Sequence, residues 1–245
     1  MDFQADADEA TVGAAMQAVA AQLQTQSPES LVNLPIMSDP EKVAAMQLLA
    51  TLFTSVFQGN APLLALLCAT MVRLSLQFGN TPASTIGYAG YGMIVRSMGN
   101  TQVGYGFGQA ALALIEQLDA QVFKSLTLLW YGCFLQHHRE PMRVSSATLK
   151  AGYLAGMEVG DFLSAGYNMV NHIFQNLYAG INLDELEIDI TNYSALLTEV
   201  KQDSALVYLR MTQQLVQNLR EPVDQPHILS GTAYDETVML PKHFE

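Results

Sequence analysis

Glycine punctuates this chain at even intervals. Gly59, Gly79 and Gly99 stand 20 residues apart, and Gly160 and Gly180 repeat that spacing after a gap of 61. Asn60, Asn80, Asn100 and Asp161 follow directly. Glycine just past a helix can take the left-handed conformation that closes it. The Asn or Asp behind it can accept from the free N–H groups that open the next helix. Proline strengthens several starts, in "GNAP" (59–62), "GNTP" (79–82) and "SDPE" (38–41), where Ser38 and Glu41 could form a capping box. The absent marks fall near Asp119-Ala120 and "REP" (139–141), and two later ones at "KQD" (201–203) and "REP" (220–222).

Between marks the period is helical. Phe162, Gly166, Met169, Ile173 and Leu177 form one apolar stripe, and Val103, Phe107, Ala110, Leu114 and Leu118 another. No stretch alternates with a period of two. The chain reads as all-α, about ten helices joined by very short turns, so that neighbours run antiparallel. Two helices in about 40 residues lies between the tetratricopeptide (TPR) and HEAT or armadillo periods. The expectation is a right-handed, TPR-like α-solenoid of antiparallel helix pairs. It would be one helical-repeat domain over 1–245, with the N-terminal helix within 1–30 its least marked part.

Only 14% of the residues are charged, against roughly 25% in ordinary globular domains. A surface so poor in charge is expected to be covered by partners or neighbouring segments. The net charge of −12 argues against nucleic acid and against an anionic membrane surface, since no basic stripe exists to neutralise phosphates. Residues 43–72 carry no charge. The run is broken at "QGNAP" and "FGNTP", so the expectation is core helices rather than membrane insertion. The acidic start "MDFQADADEA" is no secretory signal. Cys68 and Cys133 sit alone in apolar helical runs, where core packing and a reducing cytoplasm fit best.

"TQVGYGFGQAAL" (101–112) raises the possibility of a phosphate-cradling loop. A dinucleotide fingerprint needs G-x-G-x-x-G after a strand, and a P-loop ends in Lys and Ser or Thr. Here Gln109 follows the third glycine, no Lys or Arg occurs from 97 to 123, and the preceding segment, 84–97, itself reads as helix. Gly104, Gly108 and Ala111 share one helical face, and Gly87, Gly90 and Gly92 lie on the preceding helix. Each mid-helix glycine costs about 1 kcal/mol relative to alanine. Close backbone packing between the two helices is the compensating reason.

Other candidates carry less chemistry. His137 and His138 point about 100° apart on a helix, which makes them poor joint ligands, and cations suit a helix C-terminus. His172 is isolated. Asp184, Glu185, Glu187 and Asp189 read as the solvated first turns of a helix capped by Asn182; divalent metal binding is the alternative, because Glu185 and Asp189 share a face. "HRE" (138–140) lacks the Asp and the downstream Asn of a kinase catalytic loop. The residues therefore point to an interaction or regulatory array without catalytic residues, cofactor or metal.

Five strings carry a resemblance: "LVNLPIMSDPEKVAAMQLLATL", "LSLQFGNTPASTIGYAGYGMIV", "GYGFGQAALALIEQLDA", "AGYLAGMEVGDFLSAGYNMVNHIFQNLYAG" and "LSGTAYDETVMLPKHFE". Together they resemble the TPR-like helical middle region of large bacterial signalling proteins, especially common in cyanobacteria. Those proteins join a serine/threonine kinase-like domain, a predicted ATPase, this helical region, and GAF and sensor histidine kinase modules. The resemblance runs from about Leu31 to the end. It implies that catalysis lies in other domains, that this chain is a segment of a longer array, and that its partners are proteins or neighbouring domains. A stand-alone adaptor with a groove for a peptide or small molecule is the alternative. The expected partner surface is Trp130, Tyr131, His137, Tyr167, Asn168 and His172, on two alternate helices.

Overall fold

The computed structural model describes residues 8–23 and 26–243. The start of the acidic N-terminal run and the last two residues of "LPKHFE" lie outside the described residues. Those described are helical, without a strand, and the chain divides into two compact units, 1–139 and 140–245.

The first unit holds α1 (Glu9–Gln22), a 3-10 turn at Pro28–Asn33, α2 (Pro40–Gly59), α3 (Ala61–Phe78), α4 (Ser84–Ser97), α5 (Thr101–Gln117), α6 (Gln121–Phe134) and a second 3-10 turn at Gln136–His138. Helix α3 is central, packing against α1, α2 and α4, while α4 also meets α5 and α6. By length and composition α3 could cross a membrane, yet 61% of it is buried. Leu67, Cys68, Met71 and Val72 fill the core of this unit beside Phe53, Ile86 and Phe107. Burial pushes the thiols of Cys68 and Cys133 well up, so neither is a ready thiolate.

The second unit holds α7 (Met142–Val159), α8 (Phe162–Tyr178), α9 (Leu183–Glu199), α10 (Asp203–Arg220) and the short α11 (Glu236–His243). Helix α8 packs against α7, α9 and α10, around Met169, Ile173, Leu186, Ile190 and Leu209. Phe162, from the expected stripe, opens α8 and stays exposed.

The glycine marks resolve into distinct devices. Gly79, Gly99, Gly160 and Gly180 have positive φ, between 73° and 99°. Gly59 does not: it ends α2, and extended Asn60 alone links α2 to α3, accepting from the Leu63 N–H at 2.9 Å. At two of the marks without glycine, Asp119 (φ 49°) and Lys201 (φ 56°) take the left-handed position instead. Asn100, Asp161 and Asn182 cap their helices as the pattern predicts. At 38–41 the cap is Asp39 rather than Ser38, accepting from Glu41 N–H at 2.9 Å.

Asn80 departs from the pattern altogether. It caps nothing and is buried. Its Nδ2 donates to the Leu31 carbonyl at 2.8 Å, and its Oδ1 accepts from the Tyr88 hydroxyl at 2.6 Å. The backbone bridges Ile36, with Met37 N–H donating to Asn80 O at 2.9 Å. A Cβ at Gly79 would collide with the Pro35 carbonyl. Thus "GNTP" ties the 31–37 segment to the α3–α4 turn.

Candidate functional site

Four of the six residues expected on a partner surface are interior. Trp130 is 3% exposed, with Phe53 and Phe57 standing edge-on to it at 4.7 and 4.6 Å and Phe134 tilted at 5.1 Å. Tyr131 is buried beside it, and its hydroxyl accepts from Gln109 Nε2 at 2.5 Å. Asn168 is wholly buried, donating to Ser164 O at 3.0 Å, and His172 is buried too. The physical reason is partner supply: Phe53 and Phe57 of α2 cover the indole, and α7 supplies polar partners to α8.

His137 and Tyr167 are half-buried. His137 stacks on His138 at 4.1 Å, and the Arg96 guanidinium donates to His138 Nε2 at 2.9 Å. Desolvation, then His137, then Arg96 hold the His138 pKa below its ordinary value. Tyr167 lies 6.4 Å from Tyr208, and burial raises its pKa.

The small-residue faces bring backbones together. A Cβ on Gly104 of α5 would sit 2.6 Å from the Gly92 carbonyl oxygen of α4. Gly87 instead faces Met71, Gly90 faces Cys68 and Phe53, and Gly108 faces Tyr131, so these glycines admit side chains from α3, α2 and α6. Ala111 is buried on the same face of α5.

In the second unit the α7–α8 seam is polar. Ser145 donates to Gln175 Oε1 at 2.6 Å, and Asn168 fills the space at Gly152. His172 Nδ1 lies 2.9 Å from the Ser146 carbonyl and 2.8 Å from its Oγ. The Ser146 hydroxyl donates to Asn176 Oδ1 at 2.6 Å, and Asn176 Nδ2 meets His172 Nε2 at 3.2 Å. The His172/Asn176 spacing of one helical turn was readable in the sequence; the Ser146 partner was not.

The acidic group at 184–189 is used structurally. Arg220, closing α10, pairs with Asp184 at 2.5 Å and with Glu187, which also accepts from Gln217 at 3.2 Å. Among the described residues no group of three or more His, Cys, Asp or Glu side chains is placed to hold a metal ion.

The surface also exposes apolar side chains. On α2, Leu48 and Leu52 are 68% and 46% exposed, with Glu41, Ala44, Thr51 and Ser55 on the same outward face. In the second unit Leu154, Phe162 and Leu163 are exposed around the α7–α8 turn.

No family model matches the chain, and no solved structure matches it. Among known proteins it is similar to hybrid signal transduction histidine kinase G of Dictyostelium discoideum, 31% identical over 144 residues, which is 57% of this chain. The chain spans 4% of the length of that relative. Part of this all-helical chain is thus loosely related in sequence to a signalling protein.

Proposed function

We propose that the chain is a non-catalytic helical interaction segment of a signal-transduction kinase, acting in the cytoplasm. The observation that carries this reading is the match to a hybrid signal transduction histidine kinase. The outer face of α2 supports it: beyond Glu41 it carries Ala44, Leu48, Thr51, Leu52 and Ser55, with two exposed leucines and no further charge, and clustered exposed apolar side chains mark a contact surface more than scattered single ones do. Helix pairs of this kind stack into a right-handed, TPR-like solenoid with an extended binding surface. Serine/threonine kinase, ATPase and histidine kinase modules elsewhere in the parent protein are the partners, and the contact runs through Leu48 and Leu52.

Co-purification of the full chain with those modules, supplied separately, tests this. The wild type retains at least one of them. Leu48→Glu combined with Leu52→Glu, both at exposed positions, loses it while keeping its helical circular dichroism. Retention of no module by the wild type, or undiminished retention by the variant, overturns the proposal.

A further inference from the structure

The polar ring between α7 and α8 has one protonation state in which every hydrogen bond is made. A carbonyl can only accept, so the 2.9 Å contact to Ser146 O places the proton of His172 on Nδ1. Nε2 is then bare and accepts from Asn176 Nδ2 at 3.2 Å. The same amide offers Oδ1 to the Ser146 hydroxyl at 2.6 Å, and Ser146 Oγ returns to Nδ1 at 2.8 Å. The ring closes on a neutral imidazole.

We propose that Ser146, His172 and Asn176 form a proton-operated latch between α7 and α8, closed while His172 is neutral and released when Nε2 takes up a proton. A proton on Nε2 would face the Asn176 N–H2, donor against donor. Turning the amide would give Nε2–H an acceptor, but only by giving up the 2.6 Å bond from Ser146. That hydroxyl would fall back on the His172 carbonyl at 3.4 Å, a marginal contact. The charged groups that act on His172 are Lys150 on α7, which opposes protonation, and Asp189 on α9, which favours it. Helix α10 turns Leu206, Leu209, Thr212 and Val216 inward. Burial is the dominant influence and holds His172 below its ordinary 6.5.

The sign follows from which form binds the proton. With the folded value lowered, the latch contributes fully above the ordinary 6.5 and loses its contribution as pH falls through that value, because there only the open form is protonated. Opening therefore increases by up to about ten-fold between about pH 7.5 and about pH 5.5.

The test is an NMR titration of the full chain with amide hydrogen exchange at both pH values, corrected for intrinsic rates. His172→Asn identifies the resonance among the five histidines. In the wild type His172 titrates below 6.5, and exchange in α7 and α8 rises towards the ten-fold limit. Asn176→Asp supplies a carboxylate to Nε2–H, lifts the titration by about one unit or more, and removes the acid rise. Should that variant not fold, Ser146→Ala frees the Asn176 amide to turn and lifts the titration part of the way. A wild-type His172 titrating at or above 6.5 overturns the latch. So does an acid rise that is the same in the wild type and in the folded variant.

Discussion

Helices α4–α5 and α7–α8 are both hairpins closed on small residues, yet their seams are chemically unlike. In the first unit Gly92 and Gly104 place backbone against backbone, and the flanking glycines admit Met71, Phe53 and Tyr131. In the second, Gly152 admits the Asn168 amide, and Ser145, Ser146, Gln175 and Asn176 hydrogen-bond across the gap. Small residues permit close approach in both, but what enters the space decides the consequence. A dry seam is indifferent to pH and intolerant of added volume. A polar seam depends on protonation, while its neighbours are side chains that can yield.

Three measurements sharpen or break that contrast. Gly104→Ala puts a methyl against the Gly92 carbonyl, which cannot move without α4, and is expected to destabilise the first unit by about 2 kcal/mol in denaturant unfolding. Gly152→Ala meets a side chain instead and gains helix propensity, so the second unit should lose about 1 kcal/mol or less. Equal losses would show the two seams to be equally rigid. The smallest effect is expected from Arg220→Ala, under about 1 kcal/mol and shrinking with added salt, because the guanidinium is about one-third exposed. A salt-independent loss would mean that its packing rather than its charge holds α9 to α10.

Much of the local architecture was legible because it is local. Asn100, Asp161 and Asn182 cap helices through side chains two or three residues from their partners. The helix expected over 84–97 is α4. What escaped depends on distant chain. Asn80 looks like Asn60 and Asn100 in sequence, but Leu31 and Pro35 bury it. Trp130 looks available until Phe53 and Phe57 close on it. Ser146 and His172 are 26 residues apart, and only the register between two helices joins them. The breaks at Asp119 and Lys201 were placed by spacing, and Asp is among the residue types enriched in the left-handed region, but the left-handed turn at Lys201, a residue type without that preference, was not signalled.

The pairing of Arg220 with Asp184 brings the end of α10 back to the beginning of α9. The chain therefore enters and leaves this helix pair at nearly one place, so the pair is an excursion from the covalent path rather than a stretch of it. Insertions and deletions that come in whole helix pairs can be absorbed at such a point, since the flanking ends already meet. A single added helix would separate them by its full length. The clasp thus makes the two-helix unit the natural quantum by which a protein built this way grows or shortens.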